Sequence, residues 1–392
     1  MKRGFYWSIL VFVFTIPISS FISTKLLIAF LFISLFLRSN KGSLLVAIEK
    51  SWDVLFFFLV LIMGLLNTND IVTGLRVLET SFSLLALLFV FSRLSNFHDS
   101  LFSNMFLSFI AGLLVACLIC LVSAGISFNS SGDFHEFFYY QLTDVIKLHP
   151  TYMAYYIIAA ITYVIYMVYY RIQRISKKVL LPVSVFFFCM LMLTGGRTAY
   201  VSLLLVLAFF ILKFMTDEEK AQKINGFLLA ICLSMSLLGL SSLDYFGNEL
   251  NISNDYWERS ILWKSALRAN PSPLLGVGTG DYKEVLNSYY QAHGMQEYAK
   301  DSYNSHNQFI QIYFSNGIIG LLALVIMLAR PLYLSVRSHN TLGVLLFFPF
   351  IIYGVTEVFL GRYQGVVFFA LLHQIIVHQY YSNKPYLALK GD

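Results

Sequence analysis

The stretch LFSNMFLSFIAGLLVACLICLVSAG, residues 101–125, decides the fold. It is an apolar run of the length a helix needs to cross the hydrocarbon core of a bilayer, about 20 residues. Comparable runs recur from it outward to both ends of the chain. The composition agrees: 58% of the 392 residues are hydrophobic and 12% charged, where a globular domain carries about 25% charged residues. The expected fold is therefore all-α: a polytopic membrane protein of about twelve transmembrane helices. The spans lie near 5–22, 24–37, 52–66, 74–92, 101–125, 151–170, 179–194, 198–214, 224–243, 307–329, 343–360 and 364–380.

The first run follows Lys2 and Arg3, a flank like that of a signal peptide. No small-residue cleavage site follows it and more spans come directly after, so it reads as a retained helix. Cys117, Cys120, Cys189 and Cys232 all fall in apolar runs and read as small core- or lipid-facing residues, not as a metal set. The net charge of +6 does not point to nucleic acid, because most basic residues sit in short loops between spans. Those loops set the orientation. With the N-terminus inside, most lysines and arginines fall on the cytoplasmic side, and RIQRISKK (171–178) is the clearest case. Both termini are expected in the cytoplasm.

Two segments depart from the pattern of short loops, and both fall on the outer side. One is 126–150; the other, 244–306, is much the longest. Long loops in compact proteins are functional or disordered. The second is rich in aromatic residues and punctuated by Pro and Gly, so it is expected to fold into short amphipathic helices. Around NDYWERSILWKSALRAN, Trp257 and Ile261 are expected to share an apolar face with Trp263 and the Lys264 stem or with Leu267. The chain thus divides into helices over 1–243, a folded periplasmic loop over 244–306, and helices with a cytoplasmic tail over 307–392.

The candidate chemistry lies where polar residues meet the ends of spans. In LTGGRTAYVSLLL (193–205), Arg197 follows two glycines at the outer end of a helical hairpin. An arginine at membrane depth is paired, functional, or an anchor that snorkels to headgroups. In the long loop, Arg259, Lys264 and Arg268 put positive charge on one helix; it is either a solvated basic face or a grip on phosphate oxygens. PSPLLGVGTG (271–280) reads as a helix stop and a structural turn. It lacks the strand and helix that flank a dinucleotide loop. His306 stands where a polar loop enters a span. An imidazole there is either a general base at an interfacial substrate or a polar entry to the helix, a task that Ser305 or Asn307 can also perform. His149, just before Pro150, has the same two readings. No carboxylates cluster as metal ligands, so no metal and no cofactor are expected, and phosphate binding falls to cationic side chains.

In order and spacing these segments resemble the O-antigen ligase superfamily, which includes O-antigen ligases, O-antigen and exopolysaccharide polymerases, and some protein O-oligosaccharyltransferases. The resemblance is carried by Gly196-Arg197 between two spans, by ER…LW…AL…P…GVGTGDY in the long loop, and by SHNQFIQIYFSNGIIG at the next span. Many members have Ser where this chain has Gly196. The resemblance implies that Arg197 and Arg259 bind the pyrophosphate of an undecaprenyl-pyrophosphate-linked glycan; from their charge and place in the sequence, Lys264, Arg268 and His149 are expected as further substrate contacts. It implies His306 as the base or positioning group for the acceptor hydroxyl. It also implies a bacterial inner-membrane glycosyltransferase, metal-independent and inverting, with its site on the periplasmic face. The first expectation is an O-antigen ligase with lipid A–core as acceptor. The alternative is a polymerase of the same superfamily acting on lipid-linked repeat units. A transporter is disfavoured, because candidate charges gather at one face and few lie in mid-span.

Overall fold

The computed structural model describes residues 3–36, 43–94, 99–170, 172, 175–215 and 252–382, and every regular element among them is helical. The span expected at 224–243, residues 244–251 of the long loop, and Cys232 lie outside the described residues. In chain order the helices are α1 (Arg3–Thr15), α2 (Ser20–Leu35), α3 (Ser43–Lys50), α4 (Trp52–Met63), α5 (Ile71–Ser81), α6 (Ser83–Ser92), α7 (Asp99–Ser131), α8 (Tyr139–Thr143), α9 (Pro150–Tyr169), α10 (Lys177–Leu193) and α11 (Arg197–Met215). They continue with α12 (Ile252–Arg268), α13 (Tyr282–Ala292), α14 (Gln296–Lys300), α15 (Gln308–Arg337), α16 (Thr341–Thr356) and α17 (Tyr363–Tyr381).

Among the described residues, four segments are long and apolar enough to cross a membrane: Ile71–Ser92, Leu101–Ser131, Pro150–Tyr169 and Gln308–Arg337. Shorter apolar helices such as Ser20–Leu35, Trp52–Asn67 and Thr341–Thr356 accompany them, and the chain is a multi-pass membrane protein. Helix α9 is buried on nearly every side and forms the centre of the bundle. Its tyrosines bury their rings and satisfy their hydroxyls, as a low-dielectric setting requires. Tyr155 donates to the Leu346 carbonyl at 2.8 Å, Tyr156 to the Gln364 carbonyl at 2.8 Å, and Tyr163 pairs with Ser103 at 2.7 Å.

Three expected spans differ in detail. The run 74–92 is two helices, α5 and α6, that meet at Phe82. The run 307–329 is the start of α15, which extends to Arg337 and breaks at Gly317, where φ is 63° and ψ is −162°. The run 343–360 ends as a helix at Thr356; Glu357 is extended, with φ −146° and ψ 153°. Hydrophobicity continues through each of these points while the backbone does not. A break in an apolar segment is tolerated where protein supplies partners for the freed amides.

Those partners at Gly317 come from the turn 273–280. Val277 and Gly278 donate to the carbonyls of Phe314 and Ser315 at 3.0 and 2.9 Å, and Ile318 donates to the Pro273 carbonyl at 2.9 Å. The backbones approach so closely that a Cβ on Gly317 would overlap the Leu274 carbonyl. The turn then reaches the end of α4. Thr279 donates to the Leu61 carbonyl at 2.8 Å and accepts from the Asn316 amide at 2.8 Å. The Asp281 carboxylate takes the backbone N–H of Asn69 at 2.9 Å and of Asp70 at 2.7 Å. The glycine-rich stretch is therefore a structural peg.

The described part of the long loop has its own small core, built from Leu262, Ala266, Val277, Leu286, Tyr290, Ala299 and Phe314. The expected face of α12 is corrected in part. Trp263 packs against this core as one of the expected alternatives, and Leu262, Ser265 and Ala266 are buried, whereas Leu267 is 48% exposed. The three-to-four residue repeat that meets the core starts at Leu262. The Trp257 side chain lies outside the described residues.

Candidate active site

A cavity of about 510 Å³ opens where the break in α15, the start of α9 and the Glu357–Arg362 segment meet. Its apolar lining includes Phe57, Leu61, Val77 and Ile312. Its polar lining includes Gln308, Gln311, Ser315 and Asn316 from the first turns of α15. His149, His306, Glu357, Arg362, Lys283 and Tyr140 also line it. Such a surface suits a ligand with an apolar and a polar part.

His306 owes its place to the residues around it. Its φ is +42°, in the left-handed region that a residue with a side chain seldom occupies. The strain is held by its neighbours. The His306 N–H donates to Asn304 Oδ1 at 2.8 Å, and Ser305, fully buried, donates to the Asn307 carbonyl at 2.9 Å. Asn307 caps α15 by accepting from the N–H groups of Phe309 and Ile310 at 2.9 and 3.0 Å. Asn307 thus performs the capping, and the imidazole of His306 is left for other work. Its Nδ1 lies 3.5 Å from Glu357 Oε2, with 34% of the His306 side chain and 25% of the Glu357 side chain exposed.

His149 does cap a helix: its Nδ1 accepts the N–H of Thr151 at 3.2 Å. An acceptor nitrogen carries no proton, so the neutral ring keeps its proton on Nε2, which faces the Tyr140 hydroxyl. Burial pushes the His149 imidazole down to about 4; Arg362 and His306 act in the same direction, against the pull of Glu357. Burial likewise holds the Tyr140 phenol above its ordinary value. His149 is therefore neutral at neutral pH and acts as a rigid post beside the cavity.

The other expected site residues are placed as follows. Arg197 opens α11 after a turn in which Gly195 has φ +63°; its side chain lies outside the described residues. The next residue, Thr198, hydrogen-bonds Thr356 at 2.9 Å, so the hairpin turn sits one residue from Glu357. Arg259 is half-buried, and Lys264 and Arg268 are exposed, on α12. These three are not among the residues that line the cavity. The structure thus brings together His306, His149 and the backbone of the Arg197 turn.

Glu357, Arg362, Lys283 and Tyr140 were not singled out from the sequence. For Glu357 a signal exists: it is a lone acid within the apolar run 343–360, and an ionisable residue in a span points to a site. Arg362 follows at the same end. Lys283 and Tyr140 are a surface lysine and one tyrosine among many, and only the folding of the chain marks them.

Residues 182–325 match the O-antigen ligase family. Members of the family are membrane enzymes of the glycosyltransferase kind that act on lipid-linked glycans. An uncharacterized protein of Haemophilus influenzae is 23% identical over 204 residues, a match that covers 45% of this chain and 50% of that protein. The chain spans about half the length of the curated relative it matches.

Proposed function

We propose that this protein transfers a glycan from undecaprenyl pyrophosphate to a sugar hydroxyl at the outer face of a bacterial inner membrane, as an O-antigen ligase whose acceptor is lipid A–core. The observation that carries the reading is His306, held in a strained conformation at the mouth of an amphipathic cavity within the superfamily match. The donor has a lipid tail, a charged pyrophosphate and a polar glycan. Its reacting carbon must sit at the boundary between bilayer and water, and a cavity lined by both apolar and polar side chains suits that demand.

In this reading Arg197 and Arg259 hold the pyrophosphate and stabilise the charge it gains on leaving. Lys264 and Arg268 extend the basic face, and Arg362 and Lys283 add positive charge at the cavity itself. His306 takes the proton from the acceptor hydroxyl, whose oxygen attacks the anomeric carbon and inverts it. The glycosyl–pyrophosphate bond supplies the energy. The cationic side chains take the place of a metal ion, so transfer is expected to persist in EDTA. Activity lost in chelator and restored by Mg²⁺ would overturn that part. Asp281 makes a poor metal ligand, since its carboxylate is committed to the amides of Asn69 and Asp70.

Deletion of the gene tests the acceptor. Lipopolysaccharide that keeps its core and loses every attached O-chain fits a ligase. Core that carries a single repeat unit fits a polymerase and would replace this reading. Arg197→Ala at matched abundance should abolish transfer, and Arg197→Lys should restore it only in part, because lysine lacks the bidentate fork.

A further inference from the structure

We propose that Glu357 is the positioning carboxylate of His306: it fixes the tautomer of the imidazole and holds the charge that the ring acquires during transfer. The inference rests on the glycosyl-transfer reading above and adds a residue to it. Three independent features carry it. The first is distance, since His306 Nδ1 and Glu357 Oε2 are 3.5 Å apart. Contacts of this kind are often loose before substrate arrives and tighten in the complex.

The second feature is the backbone that presents the acid. Helix α16 stops one residue before Glu357, which is extended in the middle of an apolar sequence. The segment that follows is tied to the first turn of α15, because the Leu360 N–H donates to Gln308 Oε1 at 2.7 Å. Gln308 is two residues from His306, so the two chains that carry the pair are joined close to it. Thr198 and Thr356 brace the other side.

The third feature is what the acid does not do. Among the described residues, no hydrogen bond to a side-chain oxygen of Glu357 competes with His306, and the residue lines the cavity. His149 also faces the site, but its Nδ1 is spent on Thr151 and its ring resists protonation. His306 is the imidazole with a carboxylate at hand. This is the arrangement of a base oriented by a third group.

The chemistry follows from the tautomer. With Nδ1–H directed at Glu357, the lone pair of Nε2 accepts the proton of the acceptor hydroxyl. The oxygen forms the new bond to the anomeric carbon, and the bond from that carbon to the phosphate oxygen breaks. Its electron pair leaves with undecaprenyl pyrophosphate. The imidazolium faces the Glu357 carboxylate, which does not take the proton, and later returns its own proton to water. Arg362 is well placed for the leaving group and lies on the far side of Glu357 in sequence.

The test is a double-mutant cycle on the full chain in nanodiscs. The donor is undecaprenyl-pyrophosphate-linked O-glycan and the acceptor is purified core lipopolysaccharide. His306→Ala should lower kcat by about 10²–10⁴-fold. Glu357→Gln should lower kcat by about 10–100-fold, the loss seen when the partner behind a metal-bound histidine is removed, with KM for the donor unchanged. Glu357→Asp should recover part of the rate. In the His306→Ala background, Glu357→Gln should cost little more, because the two act as a unit. A Glu357→Gln protein with the normal rate overturns the inference. So does a loss that simply multiplies with that of His306→Ala; in both cases an inactive His306→Ala leaves the transfer reading intact. If wild-type protein moves no glycan, or His306→Ala moves it at full rate, the reading fails and the inference with it. If Glu357→Gln does not accumulate, the same cycle run with Glu357→Asp gives the decision.

Discussion

Among the described residues, two histidine–carboxylate pairs stand at opposite ends of the bundle. At one end His306 and Glu357 stand 3.5 Å apart and are partly open to the cavity. At the other end His373 Nε2 lies 2.7 Å from Asp53 Oδ2, and both side chains are fully buried. Arg330 binds the other oxygen of Asp53. Gln374 abuts the second nitrogen of His373 at 3.4 Å and in turn accepts from Ser51 at 3.3 Å. The Asp53 pair is saturated; each oxygen of the acid has a partner and both side chains are fully buried. The Glu357 pair is loose, and its histidine is strained. An imidazole and a carboxylate thus serve as a fastening in one place and, in the proposed reading, as a reactive group in the other. What separates them is the number of bonds already made.

That contrast can be broken from either side. The largest effect should come from Asp53→Ala. It leaves Arg330 and His373 without their acid in an apolar setting, a loss of about 3–5 kcal/mol for a buried ionic network. The folded protein should fail to accumulate in membranes, as read by fluorescence-detected size exclusion of a tagged chain. A normal, monodisperse yield would show that the Asp53 pair is no fastening. His306→Ala should behave in the opposite manner. Turnover should drop by about 10²–10⁴-fold, while yield and thermal midpoint stay near those of the wild type, because Asn307 performs the capping. A large fall in thermal midpoint would return His306 to a structural part.

Acidity sharpens the comparison next. The folded protein keeps His149 neutral down to about pH 4, whereas an unfolded histidine takes up its proton near pH 6.5. Between those values the unfolded chain binds the extra proton, so stability should decline as the pH falls from about 6.5 and level off near 4. His149→Gln should flatten part of that decline in thermal melts at stepped pH. An unchanged slope would mean that another group sets it. The smallest effect belongs to Thr198→Val, which removes one hydrogen bond to Thr356 and should cost about 1 kcal/mol, seen as a small drop in thermal midpoint.

The sequence made some of this legible. Apolar length marks the helices, and the entries to spans mark His306 and His149. The breaks were not legible. Gly317 sits in a run whose hydrophobicity is uninterrupted, and nothing local announces that Val277 and Gly278 will bond the carbonyls of Phe314 and Ser315. Glu357 was concealed for the same reason, since a hydropathy window passes over a single acid. The face of α12 was misjudged in part, because Leu267 is as apolar as Leu262, and only the position of Phe314 and Val277 decides which of them is covered. Charge on that helix was plain to read, but not its distance from the cavity.

The peg formed by residues 273–280 has a bearing on how the protein is made. Its partners, Leu61, Gly64 and Asn69 on one side and Phe314 to Ile318 on the other, are separated by most of the chain. A ribosome delivers the first set long before the turn and the second set soon after it. Until then the N–H groups of Asn69 and Asp70 have no carboxylate, and the end of α4 has no Thr279 against it. The N-terminal helices must therefore wait in the bilayer with an unfinished edge, and this end of the bundle is completed only after α15 arrives to clamp the turn.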